Sequence, residues 1–99
     1  MKLSELLKHV DVLSLTGDAE VEITGVNIDS RRIAAGHLFV AIPGTQTDGH
    51  RFISKAIEQG AVAVLCENVP AELAEGVTYV VVTSTEQCVG EGATQFYGA

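Results

Sequence analysis

Two short stretches of the chain gather side chains able to do chemistry on a small molecule. Asp29-Ser30-Arg31-Arg32 sets a hydroxyl between a carboxylate and two cations, and Gly44-Thr45-Gln46-Thr47-Asp48-Gly49-His50 sets hydroxyls and an amide in a glycine-bounded loop. A hydroxyl beside arginines suits a carbonyl edge and a phosphate, and a loop entering a helix presents backbone N–H groups to an anion. Each stretch has a plain alternative. The first can be a turn with solvated arginines, and the second an ordinary capped loop with Asp48 as N-cap and Gly49 chosen for its torsions. Six basic against thirteen acidic side chains leave a net charge of −7. An anionic ligand therefore needs a local positive site, and Arg31, Arg32 and the helix start are the best sources.

Covalent chemistry finds little support. Ser30 lies in no Gly-x-Ser-x-Gly turn, and nothing in the sequence pairs it with a general base. His9, His37 and His50 lack metal-ligand spacing, and no Gly-x-x-x-x-Gly-Lys-Ser/Thr phosphate loop is present. Asp29 and Asp48 make a weak acid/base pair among so many carboxylates. Cys66 and Cys88 have neither zinc nor redox spacing, so they read as reduced thiols of a cytoplasmic protein. The chain reads as a binding domain with no catalytic residue and no metal ligand of its own.

Charge and length narrow the partners. The negative balance repels nucleic acid and anionic membranes alike. Lys2, Glu5 and Lys8 interrupt the opening segment, which is no signal peptide, and no apolar run approaches the ~20 residues of a membrane span. Ninety-nine residues with 46% apolar side chains suit one domain and one modest core, so a ligand site is expected as a surface cleft.

The elements that must position these stretches follow from apolar spacing. Leu3, Leu6, Leu7 and Val10 predict a short amphipathic helix capped by Ser4. Gly17-Asp18 marks a turn, and Val21 to Ile28 predicts two short strands or one kinked at Gly25. Leu38 to Ile42, closed by Pro43-Gly44, predicts a strand covered on both faces. Phe52, Ile53, Ala56 and Ile57 predict a helix from Gly49 to Gln59 with Gly60 as its stop. Ala61 to Cys66 and Val77 to Thr83 predict two more buried strands, with a helical turn opened by Pro70 between them and a final helix from Ser84 to Tyr97. The order predicts a three-layer α/β domain with a small mixed sheet flanked by helices. The end at Phe96-Tyr97-Gly98-Ala99, without a polar tail, suggests a cut at a domain boundary.

Read as one string, Asp29-Ser30-Arg31, Gly36-His37-Leu38-Phe39-Val40-Ala41, Gly44, Asp48-Gly49-His50-Arg51-Phe52-Ile53, Ala56 and Gly60-Ala61 resembles the amino-terminal domain of the bacterial Mur ligases, MurE and MurF. The opening Met1 to Leu7, the Thr45-Gln46-Thr47 loop and the closing Phe96-Tyr97-Gly98 look more like the MurE branch. The resemblance covers nearly all of residues 1–99 but only the first of such a ligase's three domains. It implies a parent enzyme of peptidoglycan synthesis. Such a ligase adds meso-diaminopimelate or L-lysine to UDP-N-acetylmuramoyl-L-alanyl-D-glutamate after ATP converts the acceptor carboxylate to an acyl phosphate.

The same resemblance implies that this domain holds the UDP end of the substrate and no cofactor. ATP, Mg2+ and a carbamylated lysine belong to the central domain. Ile28 and Ser30 match the family's uridine contacts, and Thr45, Gln46 and Thr47 match its second UDP-contacting segment, with Asp29, Arg31, Asp48 and Gly49 as supporting loop residues. Leu38 to Ala41, Phe52 and Ile53 match core positions. The implied partners are the UDP-muramoyl-peptide substrate and the parent's other two domains. The equivalent domain of a MurF ligase, or a free-standing nucleotide-sugar binding module, are the alternatives.

Overall fold

Successive side chains of a strand point to opposite faces of its sheet, so an unbroken apolar run is stable only when both faces are covered. The computed structural model, which describes residues 2–8, 12–41, 49–70 and 73–83, shows this for three central strands. These are β3 (His37–Val40), β4 (Ala63–Cys66) and β5 (Thr78–Val82), with Leu38 opposite Ala63 and Leu65 opposite Val80 in parallel register. Leu38 to Ala41 and all four residues of β4 have no exposed surface.

Each strand divides its side chains between two cores. Leu38, Val40, Ala63, Leu65, Val80 and Val82 face Leu3, Leu6 and Leu7, which come from helix α1 (Leu3–Leu6) and its C-cap. Phe39, Val64, Cys66 and Tyr79 face Ile53 and Ala56 of helix α2 (Ile53–Glu58), together with Ile33. Helix, sheet and helix make the three expected layers. Two edge strands complete the sheet, β2 (Gly25–Asn27) parallel to β3 and β1 (Val12–Thr16) antiparallel to β5, in the order β1-β5-β4-β3-β2. The sheet is mixed, as expected.

Strand β1 has no counterpart in the sequence reading, and its burial explains why. Leu13-Ser14-Leu15-Thr16 alternates in sequence, but Val12 and Leu13 are exposed and an irregularity between Val12 and Ser14 breaks the register, so only Leu15 is partly buried. Thr78 ties its far end down, because its hydroxyl accepts the Asp18 N–H at 3.0 Å and donates to the Asp18 carbonyl at 2.8 Å.

Four local expectations need correction. Ser4 does not cap α1. The first N–H groups of that helix are met by backbone carbonyls, Leu3 to Val21 and Ser4 to Ala19 at 2.8 Å each, and the Ser4 hydroxyl turns to the Glu20 carboxylate. The helix expected from Gly49 begins as a 3-10 turn, Gly49–Phe52, which leaves Phe52 on the surface at 39% exposure while Ile53 points inward. Pro70 opens no helix among the described residues of its segment, where Glu75 and Gly76 form a turn with Gly76 at φ 78°. Strand β4 begins at Ala63 and not Ala61, although Val62 already donates to the His37 carbonyl at 2.9 Å. Val10, Ile42 and the helix expected from Ser84 to Tyr97 lie outside the described residues.

Candidate functional site

Strands β2 to β5 run in one direction, so Asn27, Val40, Cys66 and Val82 end on one edge of the sheet. In open α/β sheets the crevice beyond this edge is the usual ligand site. The first stretch singled out in the sequence leaves from it after β2, and the second follows β3 in the sequence.

The first stretch is fully described. Ile28 follows β2 directly and is 47% exposed, whereas Ser30 is buried at 7%. Between them Asp29 organises the turn. Its N–H donates to Asn27 Oδ1 at 3.0 Å, and its own Oδ1 accepts the Arg31 N–H at 2.9 Å, capping the 3-10 turn Ser30–Arg32. The Arg31 guanidinium closes a fork on the same carboxylate, Nε to Oδ1 at 3.1 Å and Nη2 to Oδ2 at 3.0 Å. The side-chain and backbone hydrogen bonds from Arg31 hold the Asp29 carboxyl below its ordinary value of 3.8, and the same bond raises the Arg31 guanidinium. Arg31 is therefore an internal partner of Asp29 and not an uncommitted positive charge. Arg32 is exposed on the same turn.

Thr45, Gln46, Thr47 and Asp48 lie outside the described residues, and Gly49 is seen as the first residue of the 3-10 turn ahead of α2. The loop thus enters a turn and a six-residue helix, α2, whose Ile53 and Ala56 rest on the sheet.

Three residues that matter here had no functional reading in the sequence. The Gln59 side-chain amide donates from Nε2 to the Ser30 carbonyl, joining the end of α2 to the first stretch. Its signal was hidden, because a glutamine next to a helix-stopping glycine looks like solvent-facing surface. Gly60 does more than stop the helix at φ 116°. Its carbonyl accepts the Gly36 N–H at 3.1 Å, and a Cβ on it would come within 2.7 Å of Ala35 Cα. His37 holds a turn, its Nδ1 accepting the Ala34 N–H at 3.2 Å.

A separate groove of about 310 Å³ lies between α2 and the segment before β5, lined by Ile53, Ile57, Pro70, Leu73 and Tyr79 among others. None of Ile28 to Arg31 reaches it. Among the described residues no group of three or more His, Cys, Asp or Glu could hold a metal ion, and no helix is long and apolar enough to cross a membrane. What the edge offers is an exposed apolar side chain, backbone groups and a hydroxyl on a braced turn. The chemistry of such a set suits a polar ligand, with Ser30 itself buried at 7%.

Comparison with known proteins gives this edge a context. The family described as Mur ligase family, catalytic domain, matches residues 22–97. A UDP-N-acetylmuramoyl-L-alanyl-D-glutamate--2,6-diaminopimelate ligase of Bacteroides fragilis is 57% identical over 98 residues, covering 99% of this chain and 20% of that protein. The enzyme of the same description from Bacteroides thetaiotaomicron is 55% identical over the same shares, and that from Alkaliphilus metalliredigens 39%. The chain therefore spans about a fifth of the length of these relatives. Among solved structures, a MurF from Acinetobacter baumannii superposes with a TM-score of 0.79 at 20% identity, over 95% of this chain and 20% of that one, which is a likeness of fold. A MurF ligase from Thermotoga maritima in complex with ADP gives 0.60 at 25% identity, over 81% and 18%.

Proposed function

Because the chain belongs to the Mur ligase family, we propose that residues 1–99 form the amino-terminal domain of a MurE-type ligase and hold the UDP end of its substrate. The parent enzyme would add the third amino acid, as the diaminopimelate-adding relatives are named for doing, to UDP-N-acetylmuramoyl-L-alanyl-D-glutamate. The observation that carries this reading is the identity of 55–57% spread over 98 residues to ligases of that one description. The MurF structures share the fold at lower identity, which favours the MurE assignment over the MurF one.

In this reading Ile28 and Ser30 contact uridine at the end of β2, and Thr45, Gln46 and Thr47 contact the UDP moiety from the loop after β3. Uracil has an N–H donor between two carbonyl acceptors, so backbone groups at two neighbouring strand ends and one hydroxyl suffice to read it. Asp29, Arg31, Asp48 and Gly49 shape the two turns. In this reading the reacting groups come from the parent's other domains. ATP and Mg2+ would be held by the central domain of the parent, and the substrate and the parent's other domains, in the cytoplasm, are its partners.

The test is Ser30→Ala in the full-length ligase. The expected outcome is a Michaelis constant for the UDP substrate raised by about tenfold with turnover nearly unchanged, since the lost contact is made equally in the ground and transition states. A fall in turnover alone would contradict a binding role.

A further inference from the structure

The turn that carries Ser30 is supported by a helix remote from it in sequence. The turn Gly49–Phe52 leads into α2, and the C-cap of α2 is Gln59. From that position the Gln59 amide reaches the Ser30 carbonyl. Among the described residues this carbonyl also accepts the Ile33 N–H at 3.4 Å. One residue further on, the Gly60 carbonyl takes the Gly36 N–H at 3.1 Å. The connection from β2 to β3 is thus pinned to the end of α2 at Ser30 and again at Gly36. Helix α2 is itself immobilised on the sheet through Ile53 and Ala56, at 2% and 0% exposure.

We propose that Gln59 is a positioning residue for substrate binding, which holds the Ile28–Ser30 segment against the end of α2. The proposal rests on the reading of Ser30 as a uridine contact. Gln59 touches no ligand. It acts through the Ser30 carbonyl, so its loss lets the braced turn shift off the end of α2 and weakens the binding of a ligand held there. The chemistry of the bond sets the distinguishing variants. Gln59→Glu keeps the shape, removes the donor and opposes a carboxylate to a carbonyl oxygen, whereas Gln59→Lys retains a donor on a stem of comparable reach.

The experiment measures calorimetric Kd for UDP-N-acetylmuramoyl-L-alanyl-D-glutamate, with kcat, in the full-length ligase carrying each variant and Ser30→Ala. Gln59→Glu is expected to raise Kd on the order of tenfold, the scale of one unsatisfied polar partner, with kcat within about twofold of native. Gln59→Lys is expected to bind within about twofold of the native protein. If Gln59→Glu does not fold, judged by circular dichroism, Gln59→Ala is read in its place. A native Kd in the donor-less variant while Ser30→Ala binds weakly overturns the positioning role and leaves the site intact. Equal weakening in the Glu and Lys variants also overturns it. Native binding by Ser30→Ala defeats the site itself, and the positioning role with it.

Discussion

The central strands and the connection from residue 28 to residue 37 are built on opposite principles. In β3, β4 and β5 backbone pairs with backbone, and the apolar side chains between the polar strand starts at His37 and Thr78 and the strand ends fill the two cores. In the connection, side chains hold the backbone: Asn27 and Asp29 accept successive N–H groups, His37 Nδ1 accepts that of Ala34, the Thr24 hydroxyl donates to the Ala35 carbonyl at 3.2 Å, and Gln59 grips Ser30. Many apolar sets of the right volume would make the first region. The second accepts few residues at each position, and it is where a ligand-reading surface can be held still without a large core.

The contrast predicts different penalties when each region is damaged. Phe39→Ala, which empties a fully buried site between β3 and α2, is expected to cost about 3 to 5 kcal/mol in urea denaturation, and a loss below about 1 kcal/mol would show the core to be loosely packed. Gly60→Ala is expected to cost less, about 1 to 3 kcal/mol, because it places a Cβ at φ 116° against Ala35 and pushes the connection off α2. A melting temperature unchanged by that substitution would mean that the pin at Gly36 is slack.

The smallest effect belongs to Asp29 and depends on pH. Its carboxyl is held below 3.8 by Arg31, so the folded chain releases this proton more readily than the unfolded one. The stability it adds is complete above the unfolded value of about 3.9 and fades as pH falls through the lowered folded value. Asp29→Asn keeps a capping oxygen and loses the charge. Urea midpoints of the two proteins should differ at neutral pH and converge in acid, and a difference that grew on acidification would refute the assignment.

The comparison also explains what could be read in advance. The three central strands and the core of α2 were legible, because full burial writes continuous apolar runs and helical spacing directly into Leu38–Ala41, Ala63–Cys66 and Ile53/Ala56. Asp29 to Arg31 and the loop before Gly49 were legible as candidates, and the structure describes the first of them, at the end of β2. The brace on that turn was not legible. The Gln59 to Ser30 bond spans 29 residues and leaves no periodicity, and the Asp29–Arg31 fork looks on paper like a carboxylate beside a free cation. Strand β1 escaped for a third reason, since the alternation Leu13-Ser14-Leu15-Thr16 is only four residues long and belongs to an edge strand with Leu13 at 66% exposure.

The central claim is that the carboxyl edge at Ile28 to Ser30, and not the groove beside α2, receives the UDP substrate. Hydrogen–deuterium exchange of the full-length ligase, with and without UDP-N-acetylmuramoyl-L-alanyl-D-glutamate, tests it most directly. The account predicts ligand-dependent protection over residues 27–30 and 45–47, with residues 53–58 and 73–79 unchanged. Protection confined to the α2 groove, with 27–30 exchanging as before, would contradict it.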